Sequence, residues 1–148
     1  MTLKNQDLHI GIVVAEFNTL FTSKLQEGCH AHLIAQGVPA AQIRIIKVPG
    51  AIEIPFVIQG LARQKKYHAL IALGAVIRGE TSHYDYVCEQ VSQGCQRIML
   101  DHQIPVIFGV LTTENDEQAF ARTGGEHSHN GVEAAKSALR MIEVASSL

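Results

Sequence analysis

The sequence predicts an α/β protein with a parallel sheet of about four strands and helices on both faces. Three observations support this class: short aliphatic runs alternate with longer amphipathic runs, glycine or proline separates the two kinds of segment, and the aliphatic runs are apolar enough to be covered on both faces. Parallel strands then need right-handed helical crossovers. The 148 residues suit one domain, so we predict a single domain over 1–148 with residues 1–7 as a flexible N-terminus.

The first half of the chain is predicted to hold two strands and two helices. Residues 9–15 form an apolar run typical of a buried strand, and residues 22–36 show helical spacing of apolar residues before a Gly-Val-Pro break. Residues 42–48 alternate between apolar and polar, which predicts an edge strand with one polar side. Residues 51–65 favour a helix, because Pro55 is tolerated in a first helical turn.

The second half continues the alternation. An apolar run over 69–73, closed by glycines, predicts a third buried strand, and an amphipathic helix follows over 83–101. The remaining predicted elements are a strand over 105–112, a short acidic helix within 113–122 and an amphipathic helix over 131–145. The last helix is rich in alanine and the sheet is small, so we expect apolar surface to remain for subunit contacts.

The turn after the third strand carries the strongest chemical signal. Thr81 or Ser82 is suited to start a helix, so the backbone N–H groups from Gly79 to Ser82 are free donors at the positive end of a helix dipole and can hold a phosphate. His83 follows, and an imidazole can move protons near neutral pH. From the residues alone, an ordinary βα turn with a surface histidine explains the pattern equally well.

Two residues near other strand ends have both a structural and a functional explanation. Phe17 lies where ligands usually bind in open α/β sheets, and it either closes the core or stacks on a flat heterocycle. Glu53 lies near a predicted helix N-terminus, where it either stabilises the helix dipole or points at substrate hydroxyls. The residues alone do not decide between these explanations.

Composition and charge exclude several classes of function. The net charge of −2 and the short Lys65-Lys66 pair give no basic surface for nucleic acid. No stretch of about twenty apolar residues occurs and the N-terminus is polar, so we expect a cytoplasmic protein without membrane contact. The sequence also lacks the glycine fingerprints of dinucleotide and P-loop nucleotide sites.

The cysteines and histidines favour neither a disulfide nor a metal site. Cys88 and Cys95 are separated by roughly 10 Å in a predicted helix, which is beyond disulfide reach, and together with Cys29 they are expected to be core thiols. His127 and His129 alternate with other residues in a predicted loop, a spacing that suits zinc poorly. We therefore expect no metal.

Five motifs, in their order and spacing, resemble the lumazine synthase family. They are Phe17-Asn18, Pro49 to Pro55, Gly74 to Val87, Phe108 to Thr113 and Gln118 to Arg122, and the match runs from about residue 8 to 146. The resemblance implies a flavodoxin-like three-layer α/β/α sandwich with a four-stranded parallel sheet. It also implies a homopentamer, which in many members is the unit of a 60-subunit icosahedral shell.

The resemblance further implies a transferase of riboflavin biosynthesis. It would condense 5-amino-6-(D-ribitylamino)uracil with 3,4-dihydroxy-2-butanone 4-phosphate to 6,7-dimethyl-8-ribityllumazine, phosphate and water, without a cofactor. His83 would transfer protons, and Phe108 and Arg122 would reach the site from the neighbouring subunit. The substrate-binding residues implied are Phe17 and Phe108 for the pyrimidine, Ala75, Val76 and Ile77 for the ring edge, Ala51, Ile52 and Glu53 for the ribityl chain, and Glu80, Thr81 and Arg122 for the phosphate.

One segment departs from the family pattern. This chain has Glu126 and Asn130 at positions where lysines are usual, and the second of those lysines normally helps to hold the phosphate. Either phosphate affinity falls, or protonated His127 or His129 compensates in part. The same segment bears on shell assembly in the family, so assembly beyond the pentamer stays open.

A rival interpretation comes from a different class of protein. The chain would be a shell-forming or flavin- or lumazine-binding protein that kept the pocket and lost turnover, and Asn130 favours it. Phe17, His83, Phe108 and Arg122 favour the enzyme. A third interpretation, a monomeric flavin electron carrier, would need a phosphate-binding loop rich in serine, threonine and glycine after the first strand, where this chain has Glu16 to Phe21.

Overall fold

Four parallel strands form one sheet in the order β2-β1-β3-β4. The computed structural model describes residues 3–124 and 128–148. Its strands are β1 (Ile10–Ala15), β2 (Ile43–Val48), β3 (Ala69–Ile77) and β4 (Val106–Thr113). β1 is buried along its whole length, whereas β2 has exposed residues on one edge of the sheet. The predicted four-stranded parallel sheet and its polar edge strand are therefore confirmed.

Helices cover both faces of this sheet. They are α1 (Thr19–Ala35), α2 (Ile54–Arg63), α3 (His83–His102), α4 (Asp116–Ala121) and α5 (Asn130–Ser146). Ile10, Ile12 and Val14 pack with α1 and α5, while Val13 and Ala15 pack with α2 and α3. This alternation follows from the period of two along a strand. The predicted three-layer α/β/α arrangement is confirmed.

Three predicted boundaries were wrong, each for a local reason. β3 continues through Gly74 to Ile77, because Gly74 to Ile77 pair with Val110 to Thr113 of β4. α1 begins three residues earlier than predicted, because Asn18 takes a left-handed conformation with φ 63° and the helix starts directly after it. The segment Ala51–Glu53 is a 3-10 turn, and α2 begins only at Ile54.

Part of the N-terminal segment for which we expect flexibility contacts the domain. Asn5–Asp7 form a 3-10 turn, and Asn5 Nδ2 donates a hydrogen bond to the Gln36 carbonyl at 2.7 Å. The three cysteines are free thiols, as predicted, but the expected core position was wrong for Cys88, which is only half-buried and packs against the core on the α2 and α3 side of the sheet. Burial raises the pKa of Cys29 to about 12 and that of Cys95 to about 11, so both remain neutral in the core.

Candidate functional site

A cavity of about 460 Å³ opens where β1, β2 and β3 end. In the order β2-β1-β3-β4, the chain passes from β1 to its neighbour β2 on one side, and from β3 to its neighbour β4 on the other. The connections after β1 and β3 therefore run in opposite directions. Such a switch point leaves a crevice at the carboxyl ends of the strands. The lining residues are Phe17, Asn18, Pro49, Gly50, Ala51, Ile52, Glu53, Ala75, Val76, Ile77, Gly79, Thr81, His83, Tyr84 and Val87.

One end of the cavity is apolar and carries an exposed aromatic ring. Phe17 is 72% exposed, so it does not close the core, and its backbone N–H is held by the Pro49 carbonyl at 3.0 Å. The neighbouring Asn18 donates from Nδ2 to the Ala75 carbonyl at 2.7 Å, which ties the end of β1 to β3. The ring of Phe17 is therefore presented from a fixed backbone and is free to stack on a flat ligand.

The Ala51–Glu53 turn forms the side of the cavity nearest β2. The Glu53 N–H donates to the Gly50 carbonyl at 3.2 Å, and Glu53 is the residue directly before α2. Its side chain makes no hydrogen bond that caps the helix, and it lines the cavity. The position therefore fits both explanations of Glu53, since a carboxylate there lies near a helix N-terminus and faces the ligand space.

The other end of the cavity is polar. His83 is the first residue of α3, it is exposed, and it lines the cavity together with Thr81 and Gly79. Thr81 Oγ1 accepts the His83 backbone N–H at 3.3 Å. Glu80 lies in the same turn but is not one of the lining residues, so its backbone and not its carboxylate suits an anion. The turn, helix start and histidine are thus together, as predicted.

Phe108 and Arg122 are not brought to this cavity by their own chain. Phe108 lies on the edge strand β4 and pairs with Ala72 of β3. The cavity residue Ala75 pairs with Leu111, three residues further along β4, so Phe108 is roughly 10 Å away from that level of the sheet. Its side chain is 42% exposed. Arg122 follows α4, where its Nη1 donates to the Gln118 carbonyl at 2.9 Å. Neither residue belongs to the described cavity lining.

Comparisons with known proteins identify the family of this chain. A family model described as 6,7-dimethyl-8-ribityllumazine synthase matches residues 7–146. The chain belongs to this family. Proteins named "6,7-dimethyl-8-ribityllumazine synthase" from Coxiella burnetii strains CbuG_Q212 and RSA 493 / Nine Mile phase I are each 52% identical over 135 residues, which cover 91% of this chain and 89% of the relative. The protein of that name from strain Dugway 5J108-111 is 51% identical over the same shares. The resemblance to lumazine synthases is confirmed.

Tyr84 is a cavity residue that the motifs of the lumazine synthase family did not single out. It lines the cavity beside His83, and Arg78 Cζ lies 4.2 Å from the centroid of its ring. Burial raises the pKa of Tyr84, so its hydroxyl stays protonated at neutral pH. The available signal was the spacing around Val87, which lies four residues after His83 and three after Tyr84 and so shares a helix face with each of them.

His129 caps a helix, whereas the sequence allowed it as a replacement for the lysine charge missing at position 130. Its Nδ1 accepts the backbone N–H groups of Gly131 at 3.2 Å and Val132 at 3.3 Å, so it is the N-cap of α5. This ring nitrogen is thus occupied in capping α5 and is not free to bind a phosphate. His127 and Glu126 lie outside the described residues.

The described residues include neither a metal-binding cluster nor a helix suited to span a membrane. Within residues 3–124 and 128–148, no three His, Cys, Asp or Glu side chains are placed to hold a metal ion together. The helices described for this chain also include none that is long and apolar enough to cross a membrane. Of the two histidines considered for zinc, His129 is described and His127 lies outside the described residues.

Proposed function

We propose that the chain is a 6,7-dimethyl-8-ribityllumazine synthase of riboflavin biosynthesis. It condenses 5-amino-6-(D-ribitylamino)uracil with 3,4-dihydroxy-2-butanone 4-phosphate and releases phosphate and water, without a cofactor. The observation that carries this proposal is one cavity with an exposed Phe17 at its apolar end and the start of α3, with His83, at its polar end. Those two ends match a flat pyrimidine and a phosphate respectively.

The pyrimidine and its ribityl chain occupy the apolar end. Phe17 stacks on the ring, the backbone and side chains of Ala75, Val76 and Ile77 meet its edge, and the turn Ala51–Glu53 faces the ribityl chain. Glu53 accepts hydrogen bonds from ribityl hydroxyls, since a carboxylate accepts and hydroxyls donate. The half-buried carboxylate supports this role because it lines the cavity and does not cap α2.

The phosphate occupies the turn before α3. Backbone N–H groups of Gly79 to Ser82 and the Thr81 hydroxyl donate to it, Glu80 contributes through its backbone, and Arg122 of a neighbouring subunit adds a planar, permanently charged fork. His83 directly follows this phosphate-binding turn. The 5-amine of the uracil attacks the ketone, and water leaves to give an imine. Elimination of phosphate then gives an enol that tautomerises to a second carbonyl. The ribityl-bearing nitrogen attacks this carbonyl, and loss of a second water closes the ring. Each step moves a proton, and His83 donates and accepts it.

Holding the two substrates together supplies much of the rate. Dehydration and ring closure need orientation more than an unusual nucleophile, and orientation alone can contribute several kcal/mol, about 7 in favourable cases. A steady-state assay with both substrates, following lumazine absorbance and fluorescence together with phosphate release, tests the proposal. We expect one phosphate per lumazine and no signal when either substrate is omitted. Product formation no faster than the uncatalysed background contradicts the proposal.

We also propose that the site is completed between subunits of a homopentamer, with a 60-subunit shell as the larger form. Support comes from Phe108 and Arg122, which lie away from their own cavity, and from the exposed rings of Phe17, Phe108 and Phe120. Mixing His83→Ala and Arg122→Ala chains before assembly tests it. If the two residues act across an interface, about a quarter of the mixed sites receive both intact groups and activity returns. Each variant alone is the control, and no recovery on mixing contradicts the shared site.

We propose a single domain over 1–148 in the cytoplasm. The second candidate is a shell-forming or flavin- or lumazine-binding protein, which Asn130 favours because it lacks the lysine charge usual in the family. Asn130 begins α5 and its N–H donates to the Arg122 carbonyl at 2.8 Å, so the change lies beside the phosphate-binding arginine. Tight lumazine binding without turnover in the same assay would select the rival.

A further inference from the structure

Arg78 connects three segments behind the polar end of the cavity. It directly follows β3, and its backbone N–H donates to the Thr113 carbonyl at 2.9 Å. Its Nε lies 2.6 Å from Glu114 Oε2, just after β4, and its Nη2 lies 3.2 Å from Asp85 Oδ1 in the first turn of α3. One side chain therefore joins the ends of β3 and β4 to the start of α3.

Tyr84 links this connection to the cavity. The guanidinium of Arg78 lies over the Tyr84 ring at 4.2 Å from its centroid, a distance at which a cation is attracted to an aromatic face. Tyr84 is one of the described residues that line the cavity, and Arg78 is not. Arg78 thus supports the wall from behind and is not placed to meet the substrate.

The charges around Arg78 argue against a direct electrostatic role. Two carboxylates share its one positive charge, so the group of three is negative overall and does not attract phosphate. The side chains are 37% exposed for Arg78, 60% for Asp85 and 57% for Glu114, and exposed ion pairs contribute little to stability. A planar fork held by two acceptors and a ring instead fixes orientation.

We propose that Arg78 is a positioning residue that fixes the turn Gly79 to Ser82 and the start of α3. The turn runs from Arg78 to His83, and the Arg78–Asp85 pair holds both of its ends to one another. The backbone donors, Thr81 and His83 then meet the phosphate-bearing substrate in one geometry. The inference rests on the proposed function, because it assigns a cause to the geometry of that same site. A displacement of about 1 Å can cost roughly 10²-fold in rate.

The test is the Arg78→Gln variant, with kcat and both KM values measured separately. We expect kcat to fall and the KM of the butanone phosphate to rise, each by about tenfold or more. The KM of the ribitylaminouracil should stay within about twofold, because Phe17 and the Ala51–Glu53 turn build that end. Arg97→Gln is the matched control: it removes the same charge from α3, where Arg97 pairs with Asp101 at 3.8 Å.

A neutral triple variant separates positioning from charge. In Arg78→Gln the two carboxylates lose their partner and can repel phosphate. In Arg78→Gln with Asp85→Asn and Glu114→Gln that repulsion is gone, so positioning predicts continued impairment, whereas a charge effect predicts recovery. Glu114→Gln alone replaces a charged hydrogen bond to Arg78 by a weaker neutral one and should give a smaller effect in the same direction, which keeps the inference testable if Arg78→Gln does not fold.

Four outcomes overturn the inference while leaving the proposed function standing. With an active wild type, the first two are an Arg78→Gln variant with unchanged kinetics and an Arg78→Gln variant in which both KM values rise equally. The other two are recovery of kcat in the triple variant and a Glu114→Gln variant indistinguishable from wild type. An inactive wild type has a different meaning, since it contradicts the proposed function itself.

Discussion

α3 and α5 both begin beside a histidine, and their first turns are completed in different ways. At α5, the chain satisfies its own donors: His129 Nδ1 accepts two backbone N–H groups, and Gly131 is packed directly against the Leu25 carbonyl of α1. At α3, Ser82 provides no side-chain cap, Thr81 Oγ1 accepts the His83 N–H at 3.3 Å, and the turn before His83 borders a cavity of about 460 Å³. One helix start is closed by protein and the other is open to a ligand.

This difference separates stability from chemistry within one molecule. Donors that the chain satisfies contribute to folding, whereas donors left open at a helix N-terminus can bind an anion. Substitutions at the closed start of α5 should therefore change the free energy of unfolding. Substitutions at the open start of α3 should change the rate and leave folding nearly unaffected. The predictions that follow test this separation.

Gly131→Ala should have the largest effect, on stability. A Cβ at Gly131 would overlap backbone atoms of Leu25, and backbone cannot yield as the end of a flexible side chain can. We expect a loss of about 3 kcal/mol or more in the free energy of unfolding, at or above the upper end of the usual range for overpacking. Urea unfolding at fixed protein concentration measures it.

Gly60→Ala is the matched control for that substitution. Gly60 lies within α2, and a Cβ there meets nothing within 4 Å. Alanine should stabilise the helix by about 0.5 to 1 kcal/mol, because it restricts the unfolded chain more than glycine does. Equal changes for the two glycines would mean that the start of α5 is not tightly closed.

His83→Ala should have the next largest effect, and on rate. We expect kcat to fall about 10²-fold or more, equivalent to roughly 2.7 kcal/mol in the barrier, because a proton donor and acceptor is lost beside the phosphate seat. The free energy of unfolding should change by less than about 0.5 kcal/mol, since the side chain is exposed. Full activity in this variant would remove His83 from the mechanism.

His129→Ala also removes a histidine, but it should lower stability and leave the rate nearly unchanged, the opposite of His83→Ala. It removes the acceptor for Gly131 and Val132, so we expect a loss of about 1 kcal/mol in stability, as for other N-caps. At saturating substrate kcat should stay within about twofold. His129→Asn, which restores a short acceptor, is the control and should recover part of the loss. A large fall in kcat without destabilisation would show that the closed and open helix starts are not separate in function.

The sequence predicted the architecture well because the fold depends on apolar periodicity. The runs at 10–15 and 106–113 are short and aliphatic, and α3 begins at His83 as expected from the turn residues before it. The boundary errors arose where long-range pairing decides. β3 passes Gly74 because β4 provides partners for it. Val76 and Ile77 favour a strand, but the glycine before them is locally a signal for a turn.

The site was predictable where a motif lies at a strand end, and not where contacts join distant segments. Phe17, Glu53 and His83 each follow a strand, and the parallel topology brings them to one cavity. The contact between Arg78 and Glu114 joins residues 36 positions apart, and it depends on β4 lying beside β3. The exposure of Phe17 was equally hidden, since an apolar residue after a buried strand is usually buried too.

Asn130→Lys should have the smallest effect, and it acts on both helix starts. A lysine at the first residue of α5 places a positive charge at the positive end of the helix dipole, so we expect a loss of about 0.3 to 1 kcal/mol in stability. If Asn130 weakens phosphate binding, the KM of the butanone phosphate should fall several-fold, because a charged hydrogen bond is stronger than a neutral one, by about twofold. Asn130→Gln adds length without charge and should reproduce neither change. A lower KM together with lower stability would show that the neutral Asn130 weakens phosphate binding and stabilises the fold. An unchanged KM would mean that the turn before α3 and Arg122 hold the phosphate without help from α5.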